Sequence, residues 1–187
     1  MNYYDTHAEE FFKNTVNVDM KHIYADFLNA IPENSHILDA GCGSGRDTKY
    51  FKSEGYTVTA MDASREMCRL ASKHTDQEVL HLKFQDIKFK EEFEGIWASS
   101  SLLHVPGEEL AEVLNLLKEA LKDNGVLYAS FKCGNFEGKR NGRYFTDLTF
   151  ESAKNLFKDF KILKMWHTED ARKNRNEKWV NILVKKE

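Results

Sequence analysis

The chain has 187 residues, of which 41% are hydrophobic and 30% charged, and its formal net charge is −3. This composition is typical of one globular domain, and it excludes both a disordered chain and an apolar stretch of about 20 residues that would span a membrane. The acidic, polar start of the sequence lacks the features of a signal peptide, so we expect a cytoplasmic protein. Its three cysteines are widely spaced and show no zinc-ligand pattern, so we expect neither disulfides nor a bound metal.

Charge is distributed unevenly along the sequence. Residues 132–187 contain 14 Lys and Arg against 8 Asp and Glu, whereas residues 1–131 contain 13 against 22. Two interpretations follow: an unevenly charged solvated surface, or a C-terminal part that helps to hold an anionic substrate.

In the N-terminal half, apolar strands alternate with segments of helical periodicity. The spacing predicts a short first helix and then an amphipathic helix over 20–31 with Asp19 as its N-cap. Four predicted strands follow, and the helices after the first two begin near Arg46 and at a Ser64 cap. These strands lie at 36–39, 57–61, 79–82 and 95–98.

In the C-terminal half, Pro106 begins a helix that we expect to end at Asn124-Gly125. A strand at 126–131, a glycine-rich basic loop, a short helix and two last strands complete the chain. The pattern predicts an α/β fold with a Rossmann-like, seven-stranded, mostly parallel sheet. We expect helices on both faces of this sheet and an antiparallel strand at one edge.

The segment 39–45, Asp-Ala-Gly-Cys-Gly-Ser-Gly, joins the first strand to the next helix. Its three glycines permit positive φ and let a ligand lie against bare backbone, and the helix start offers free N–H groups to an anion. NAD-binding folds also have glycine-rich turns, but here Arg46 occupies the last glycine position of their GxGxxG motif. This departure disfavours a nicotinamide-dependent oxidoreductase.

Acidic residues stand at the ends of three successive predicted strands, namely Asp39, Asp62 and Asp86. Ligands of open α/β sheets bind at the carboxyl ends of the strands, where these carboxylates would gather. A carboxylate at Asp62 can accept both hydroxyls of a ribose, and one at Asp86 can meet an adenine amino group. This combination is more specific than the glycines alone.

Segments along nearly the whole chain resemble class I S-adenosylmethionine-dependent methyltransferases of the methyltransferase-11/12 type, including small bacterial enzymes described as tellurite-resistance-like. The matching segments are 39–47, 58–64, 85–86, 95–106 and 124–128. The resemblance implies a single methyltransferase domain over 1–187 that uses S-adenosyl-L-methionine and transfers its methyl group in line. The resemblance does not identify the acceptor, and our first hypothesis is a small molecule, either neutral or anionic.

The resemblance also implies roles for individual residues. The glycine loop with Asp39 would face the methionine part of the cofactor, Arg46 its carboxylate, Asp62 its ribose and Asp86 its adenine. Arg46 can instead be an ordinary first-turn residue, and Cys42 is better interpreted as a small filler than as a nucleophile. The full set of expected cofactor contacts at this stage is Tyr4, Asp39, Gly41, Cys42, Gly43, Gly45, Arg46, Asp62, Ala63, Ser64, Met67, Gln85, Asp86, Ile87 and Ser99.

Three parts of the chain are candidates for the acceptor side: an N-terminal helical lid over 1–30 and loops over 132–148 and 167–178. Tyr3 and Tyr4 can close over the sulfonium, or they can simply pack for stability. Arg143 and Arg175 are candidates to hold an anionic acceptor, against the alternative of a solvated hairpin and loop. His104 is the candidate catalytic base, and the alternative is a histidine that orients its loop by hydrogen bonds.

Other functions stay open at this point. Residues 142–145 and 175–179 resemble tRNA wobble-uridine carboxymethyl methylating enzymes, so tRNA is an alternative acceptor, although the acidic chain lacks the basic surface expected for it. A non-catalytic module that senses the cofactor is a further alternative. The oligomeric state is not indicated by the sequence.

Overall fold

A computed structural model of the protein describes residues 3–172 and 175–187. Residues 1–2 of the predicted lid and 173–174 of the predicted loop over 167–178 lie outside the described residues. The helices are α1 (Tyr3–Thr6), α2 (Ala8–Thr15), α3 (Lys21–Leu28), α4 (Arg46–Ser53), α5 (Arg65–Thr75), α6 (Gly107–Ala120) and α7 (Phe150–Leu156). The strands are β1 (His36–Ala40), β2 (Thr57–Asp62), β3 (Val79–His81), β4 (Phe93–Ala98), β5 (Leu121–Lys132), β6 (Glu137–Arg140), β7 (Arg143–Thr146), β8 (Lys161–Glu169) and β9 (Lys178–Lys185).

Seven strands form one sheet in the order β3-β2-β1-β4-β5-β9-β8. The pairs from β3 to β5 are parallel, while β9 runs antiparallel to both β5 and β8. The predicted Rossmann-like fold is therefore confirmed, with the reversed strand placed between β5 and the edge strand β8. This order brings the ends of β1, β2, β4 and β5 to one edge of the sheet.

Successive residues of the central strands point to opposite faces of the sheet, and each face carries a hydrophobic layer. One layer packs against α6 and α7, and the other packs against α3 and α4. Trp97 of β4 is fully buried in the second layer, where its indole stacks on the Tyr128 ring with 4.0 Å between ring centroids. No helix among the described residues is long and apolar enough to span a membrane.

The predicted C-terminus of the long helix is wrong. The helix α6 ends at Ala120 rather than at Asn124-Gly125, because Leu121 is extended and pairs with Phe93 of β4. The backbone N–H groups of Glu91 and Glu92 donate to the carbonyls of Glu119 and Ala120 and so satisfy two of the last helical acceptors.

Two further features differ from the prediction, the bounds of α3 and the structure of the segment after β5. The helix α3 spans Lys21–Leu28, shorter than the predicted 20–31, and its N-cap position is Met20. Asp19 still serves the helix start, because its Oδ1 accepts from the backbone N–H of Lys21 at 2.9 Å. The basic loop predicted after β5 instead contains the two-stranded β6–β7 hairpin.

Candidate active site

Two adjoining cavities lie at the carboxyl ends of the parallel strands. The β2 cavity lies beside the ends of β2 and β3, is lined by Asp62 and Phe84 among others, and has a volume of about 390 Å³. The β5 cavity lies beside the end of β5, is lined by Lys132 among others, and has a volume of about 150 Å³. Gly41 and Gly43 line both, so the loop after β1 joins the two cavities.

The loop after β1 has a conformation that requires glycine at its first turn. Gly41 has a φ of +79°, and a Cβ placed on it would lie 2.5 Å from the Cβ of Ser101. The backbone N–H groups of Gly41 and Cys42 both donate to the carbonyl of Met61, at 2.8 and 2.9 Å. The loop is therefore held against the end of β2, with its backbone exposed to both cavities.

Asp62, the last residue of β2, is tied to the same loop. Its Oδ2 accepts from the backbone N–H of Gly43 at 2.9 Å, and its Oδ1 accepts from that of Ser64 at 2.8 Å. Burial raises the pKa of Asp62, and the two N–H donors offset only part of this rise. Each carboxylate oxygen keeps a further lone pair with which to accept a hydrogen bond from a ligand hydroxyl.

Arg46 begins α4 and is fixed by a buried carboxylate. Its Nε and Nη2 donate to the two oxygens of Asp47 at 2.6 and 3.0 Å. Asp47 also accepts from the Tyr24 hydroxyl at 2.5 Å and from Trp97 Nε1 at 2.8 Å. Burial alone would raise the pKa of Asp47, but the guanidinium and these donors lower it below its ordinary value. Asp47 therefore holds the Arg46 guanidinium at the wall of the β5 cavity.

Asp39 lies beneath the loop. It is 2% exposed, and its Oδ2 accepts from the Thr48 hydroxyl at 2.5 Å. Burial, followed by the negative charge of Asp47, raises the pKa of Asp39 to about 8. Asp39 supports the loop from below and lines neither cavity.

His104 connects the N-terminal helix to the hairpin. Its Nδ1 lies 2.7 Å from the carbonyl of Tyr144, which only accepts, so Nδ1 carries the proton. Its Nε2 then accepts from the Tyr4 hydroxyl at 2.7 Å. Burial lowers the pKa of His104 to about 4, so the ring is neutral at pH 7. These contacts favour the orienting interpretation over a general base, whose role stays a prediction.

Arg143, at the start of β7, reaches over both cavities. Its guanidinium carbon lies 4.9 Å from the ring centroid of Tyr3, 6.0 Å from that of Tyr4 and 5.1 Å from that of Phe145. The tyrosine rings predicted to face a sulfonium thus already contact a protein cation. Burial raises the pKa of Tyr4, and the Arg143 charge offsets part of this rise.

The segment between β8 and β9 supplies the far wall of the β5 cavity. Arg175 lines this cavity, and its Nη1 lies 3.8 Å from Glu177 Oε1. Lys132 Nζ donates to the same oxygen at 2.8 Å. Arg172 pairs with Asp170 through two hydrogen bonds, at 2.8 and 2.5 Å. Most cations of this wall therefore have an acidic partner nearby.

Comparison with known proteins shows a family resemblance in the central part of the chain. The model of a family described as "Methyltransferase domain" matches residues 37–125. These residues are similar to that family. The resemblance to class I methyltransferases seen in the sequence is therefore confirmed for the stretch that contains the glycine loop, Asp62 and the end of β4.

Individual relatives of this methyltransferase domain support the same assignment. An uncharacterized methyltransferase of Staphylococcus carnosus is 30% identical over 106 residues, 56% of this chain and 51% of the relative. A ubiquinone biosynthesis O-methyltransferase of Pasteurella multocida is 29% identical over 110 residues, 50% of this chain and 45% of the relative. The chain thus spans about half the length of the curated relatives it matches.

A solved structure shares the fold along almost the whole chain. It is that of the Burkholderia thailandensis 1,6-didemethyltoxoflavin-N1-methyltransferase with bound 1,6-didemethyltoxoflavin and S-adenosylhomocysteine. Its TM-score is 0.79 at 19% sequence identity, with 98% of this chain and 84% of that chain covered.

Most residues predicted to contact the cofactor or the acceptor line one of the two cavities. They are Tyr3, Tyr4, Gly41, Cys42, Gly43, Arg46, Asp62, Ala63, Met67, Gln85, Ser99, His104, Arg143 and Arg175. Cys42 is buried, and burial raises the pKa of its thiol, which agrees with its interpretation as a filler.

Five predicted cofactor contacts lie away from the cavity surface. Besides Asp39, they are Gly45, which packs on α5, and Ser64, which caps that helix by accepting from the Met67 N–H. Ile87 is buried in the core, and Asp86 is exposed in a short 3₁₀ turn.

Several lining residues were not predicted. Phe84 lies in the 3₁₀ turn that ends at Asp86 and lines the β2 cavity. Its position just after a predicted strand could have indicated a place beside the ligand. Phe11 comes from α2 and lines both cavities, and nothing local in the sequence indicates this. Among the described residues, no group of three or more His, Cys, Asp or Glu side chains is arranged to hold a metal.

Proposed function

We propose that this chain is an S-adenosylmethionine-dependent methyltransferase that acts on a small molecule bound in the β5 cavity. One observation carries the proposal: the glycine loop lines both cavities, with Asp62 in one and Arg46 in the other. A ligand extended over this loop would meet a carboxylate at one end and a guanidinium at the other. The family match over residues 37–125 supports the same donor.

The residues present suit this cofactor. A carboxylate at Asp62 matches the hydroxyls of a ribose, and the Arg46 guanidinium matches a carboxylate. Gly43 has a φ of +53° and no side chain, so the loop presents backbone where it lines both cavities. Phe84 and Met67 offer apolar surface in the β2 cavity for a base.

When bound, S-adenosylmethionine supplies an electrophilic methyl group on its sulfonium. The protein's part is then to hold an acceptor in line and to exclude water, and positioning alone supplies about 7–11 kcal/mol of barrier reduction. Tyr4 and His104 form a fixed pair where the two cavities meet, so we assign them to positioning. His104 is neutral, with its Nε2 bonded to Tyr4, and this arrangement supports orientation rather than proton removal.

A small acceptor is favoured by the β5 cavity itself. Its volume is about 150 Å³, and its walls come from α1, the β6–β7 hairpin and the β8–β9 segment. The named relatives are an O-methyltransferase and an N1-methyltransferase, so they do not agree on the accepting atom.

Two measurements test the proposal. Isothermal titration calorimetry should show binding of S-adenosylhomocysteine, and NAD should not bind. Transfer of a labelled methyl group from S-adenosylmethionine should then occur with a small-metabolite extract. Transfer only to bulk tRNA would favour the RNA alternative, binding without any transfer would favour a cofactor sensor, and binding of NAD instead would refute the proposal.

A further inference from the structure

Arg143 differs from the other arginines of the β5 cavity in its hydrogen bonds. Its Nε is buried and has no hydrogen-bond partner among the described residues, although a buried charged donor is costly to leave without one. No carboxylate of the described residues lies within ion-pair distance of its guanidinium. Arg143 therefore has a donor without an acceptor, and the residue lines both cavities.

Two other arginines of the β5 cavity show how an arginine Nε is bonded by a carboxylate. Arg46 presents Nε and Nη2 side by side to the two oxygens of Asp47, and Arg172 does the same to Asp170. In both pairs the edge of the guanidinium that carries Nε receives a planar carboxylate. Arg143 has the same edge, with its Nε unbonded, at the wall of the two cavities.

The surroundings of Arg143 favour an anion. Five basic and three acidic side chains line the β5 cavity, which leaves an excess of positive charge. Two of the acids, Asp47 and Asp170, are already paired with arginines, and the third, Glu169, is exposed. The rings of Tyr3 and Phe145 hold the guanidinium in place and limit its access to water.

We propose that Arg143 determines acceptor specificity by binding a carboxylate group of the methyl acceptor through its Nε edge. The inference rests on the proposed function and narrows it to acceptors that are carboxylic acids. A planar guanidinium suits a planar carboxylate better than a compact ammonium does, so lysine should not replace it. Arg46 remains assigned to the cofactor, and Arg143 to the acceptor.

The first test identifies the charge and chemistry of the acceptor. A small-metabolite extract is divided by anion exchange, and each fraction is assayed with labelled S-adenosylmethionine. We expect methyl transfer in the retained fraction, its loss after amidation of carboxylates with a carbodiimide and methylamine, and its survival after alkaline phosphatase. Transfer confined to the flow-through, or abolished by phosphatase, would overturn the proposal.

The second test uses variants with a matched control. Arg143→Met should raise the apparent KM for the retained fraction at least about tenfold while the Kd for S-adenosylhomocysteine changes less than about twofold. Lys139→Met is the control, because Lys139 is an exposed cation of the same hairpin, has no ion pair among the described residues and lines neither cavity. It should leave the apparent KM unchanged.

Arg143→Lys is a second variant, for use if Arg143→Met fails to fold. It keeps a positive charge beside the aromatic rings of Tyr3 and Phe145. It should melt within a few degrees of the parent protein and still show the raised KM. An unchanged KM in Arg143→Lys, or an equal loss of S-adenosylhomocysteine affinity in both Arg143 variants, would refute the assignment. Absence of methyl transfer with every fraction would instead count against the proposed function itself. Binding of S-adenosylhomocysteine tests the cofactor site separately from the acceptor site.

Discussion

Replacement of Asp47 by asparagine should destabilise the folded protein by about 3–5 kcal/mol, the usual cost of removing one partner from a buried ion pair. The Asp47 side chain is 8% exposed and that of Arg46 20%, so water screens little of the interaction. The asparagine amide would also place a donor group where Asp47 now accepts from Arg46, Tyr24 and Trp97. Domains of this size are stable by about 5–15 kcal/mol, so the loss is a large fraction of the total.

Urea unfolding at pH 7 without ligands, followed by circular dichroism, measures this loss directly. Tyr24→Phe is the matched control, because it removes one hydrogen bond to the same carboxylate and leaves its charge in place. We expect a cost of about 1–3 kcal/mol for the control. If Asp47→Asn costs no more than Tyr24→Phe, then Asp47 does not hold the Arg46 guanidinium as described.

The same variant makes a prediction about pH. The pKa of Asp47 is lower in the folded protein than in the unfolded chain, so its contribution is present at neutral pH and is lost as the pH falls through the folded-state pKa. Asp47→Asn has no such proton to take up. The stability difference between the parent protein and the variant should therefore shrink on acidification below about pH 4.

Three other substitutions test the site. Asp62→Asn should weaken S-adenosylhomocysteine binding by calorimetry about tenfold or more, because a hydrogen bond to a charged group contributes about 1.5–3 kcal/mol; an unchanged affinity would count against the ribose contact. Gly41→Ala should lower the urea midpoint far more than Gly55→Ala, although both glycines have positive φ. The new Cβ would clash with Ser101 Cβ at 2.5 Å in the first variant but would lie 3.7 Å from Asn34 Oδ1 in the second. Equal midpoints would contradict this. The parent protein should lose stability as the pH rises from about 4 to about 8, because the raised pKa of Asp39 makes the folded state keep a proton that the unfolded chain releases. Asp39→Asn should not show this loss. A parallel dependence of stability on pH in both proteins would refute the raised pKa.

The parts of the fold that the sequence predicted correctly depend on local signals. Periodicity identified the seven strands of the sheet, and the Ser64 cap formed as expected, with its hydroxyl accepting from the Met67 N–H. The end of α6 was wrong because Asn124-Gly125 is a turn signal without a unique meaning. Here Asn124 has a φ of +64° within the β5 segment, and the pairing of Leu121 with β4 had already ended the helix.

The strands β6 and β7 were not predicted, although the sequence contains the signal for the turn between them. Asn141 and Gly142 have φ of +48° and +77°, the two positive values of a type I′ turn, and they separate β6 from β7. An Asn-Gly pair between two short extended segments favours this structure. Because β6 consists of three charged residues and a glycine and shows no alternation of apolar and polar residues, the region was interpreted as a glycine-rich, basic loop.

The two halves of the site are encoded differently, and this difference explains which residues were predicted. The cofactor half is built at strand ends, so Asp62 and the glycine loop meet as a direct result of parallel strand order. The acceptor half joins α1, the β6–β7 hairpin and the β8–β9 segment, which are distant in sequence and meet through tertiary contacts such as that of Tyr3 with Arg143. The hairpin forms a two-stranded sheet of its own, so its exposed residues can change without altering the pairing of the main sheet. We therefore expect acceptor specificity to follow the hairpin residue Arg143, and exchange of residues 137–146 with those of a relative should alter acceptor preference while S-adenosylhomocysteine affinity stays the same.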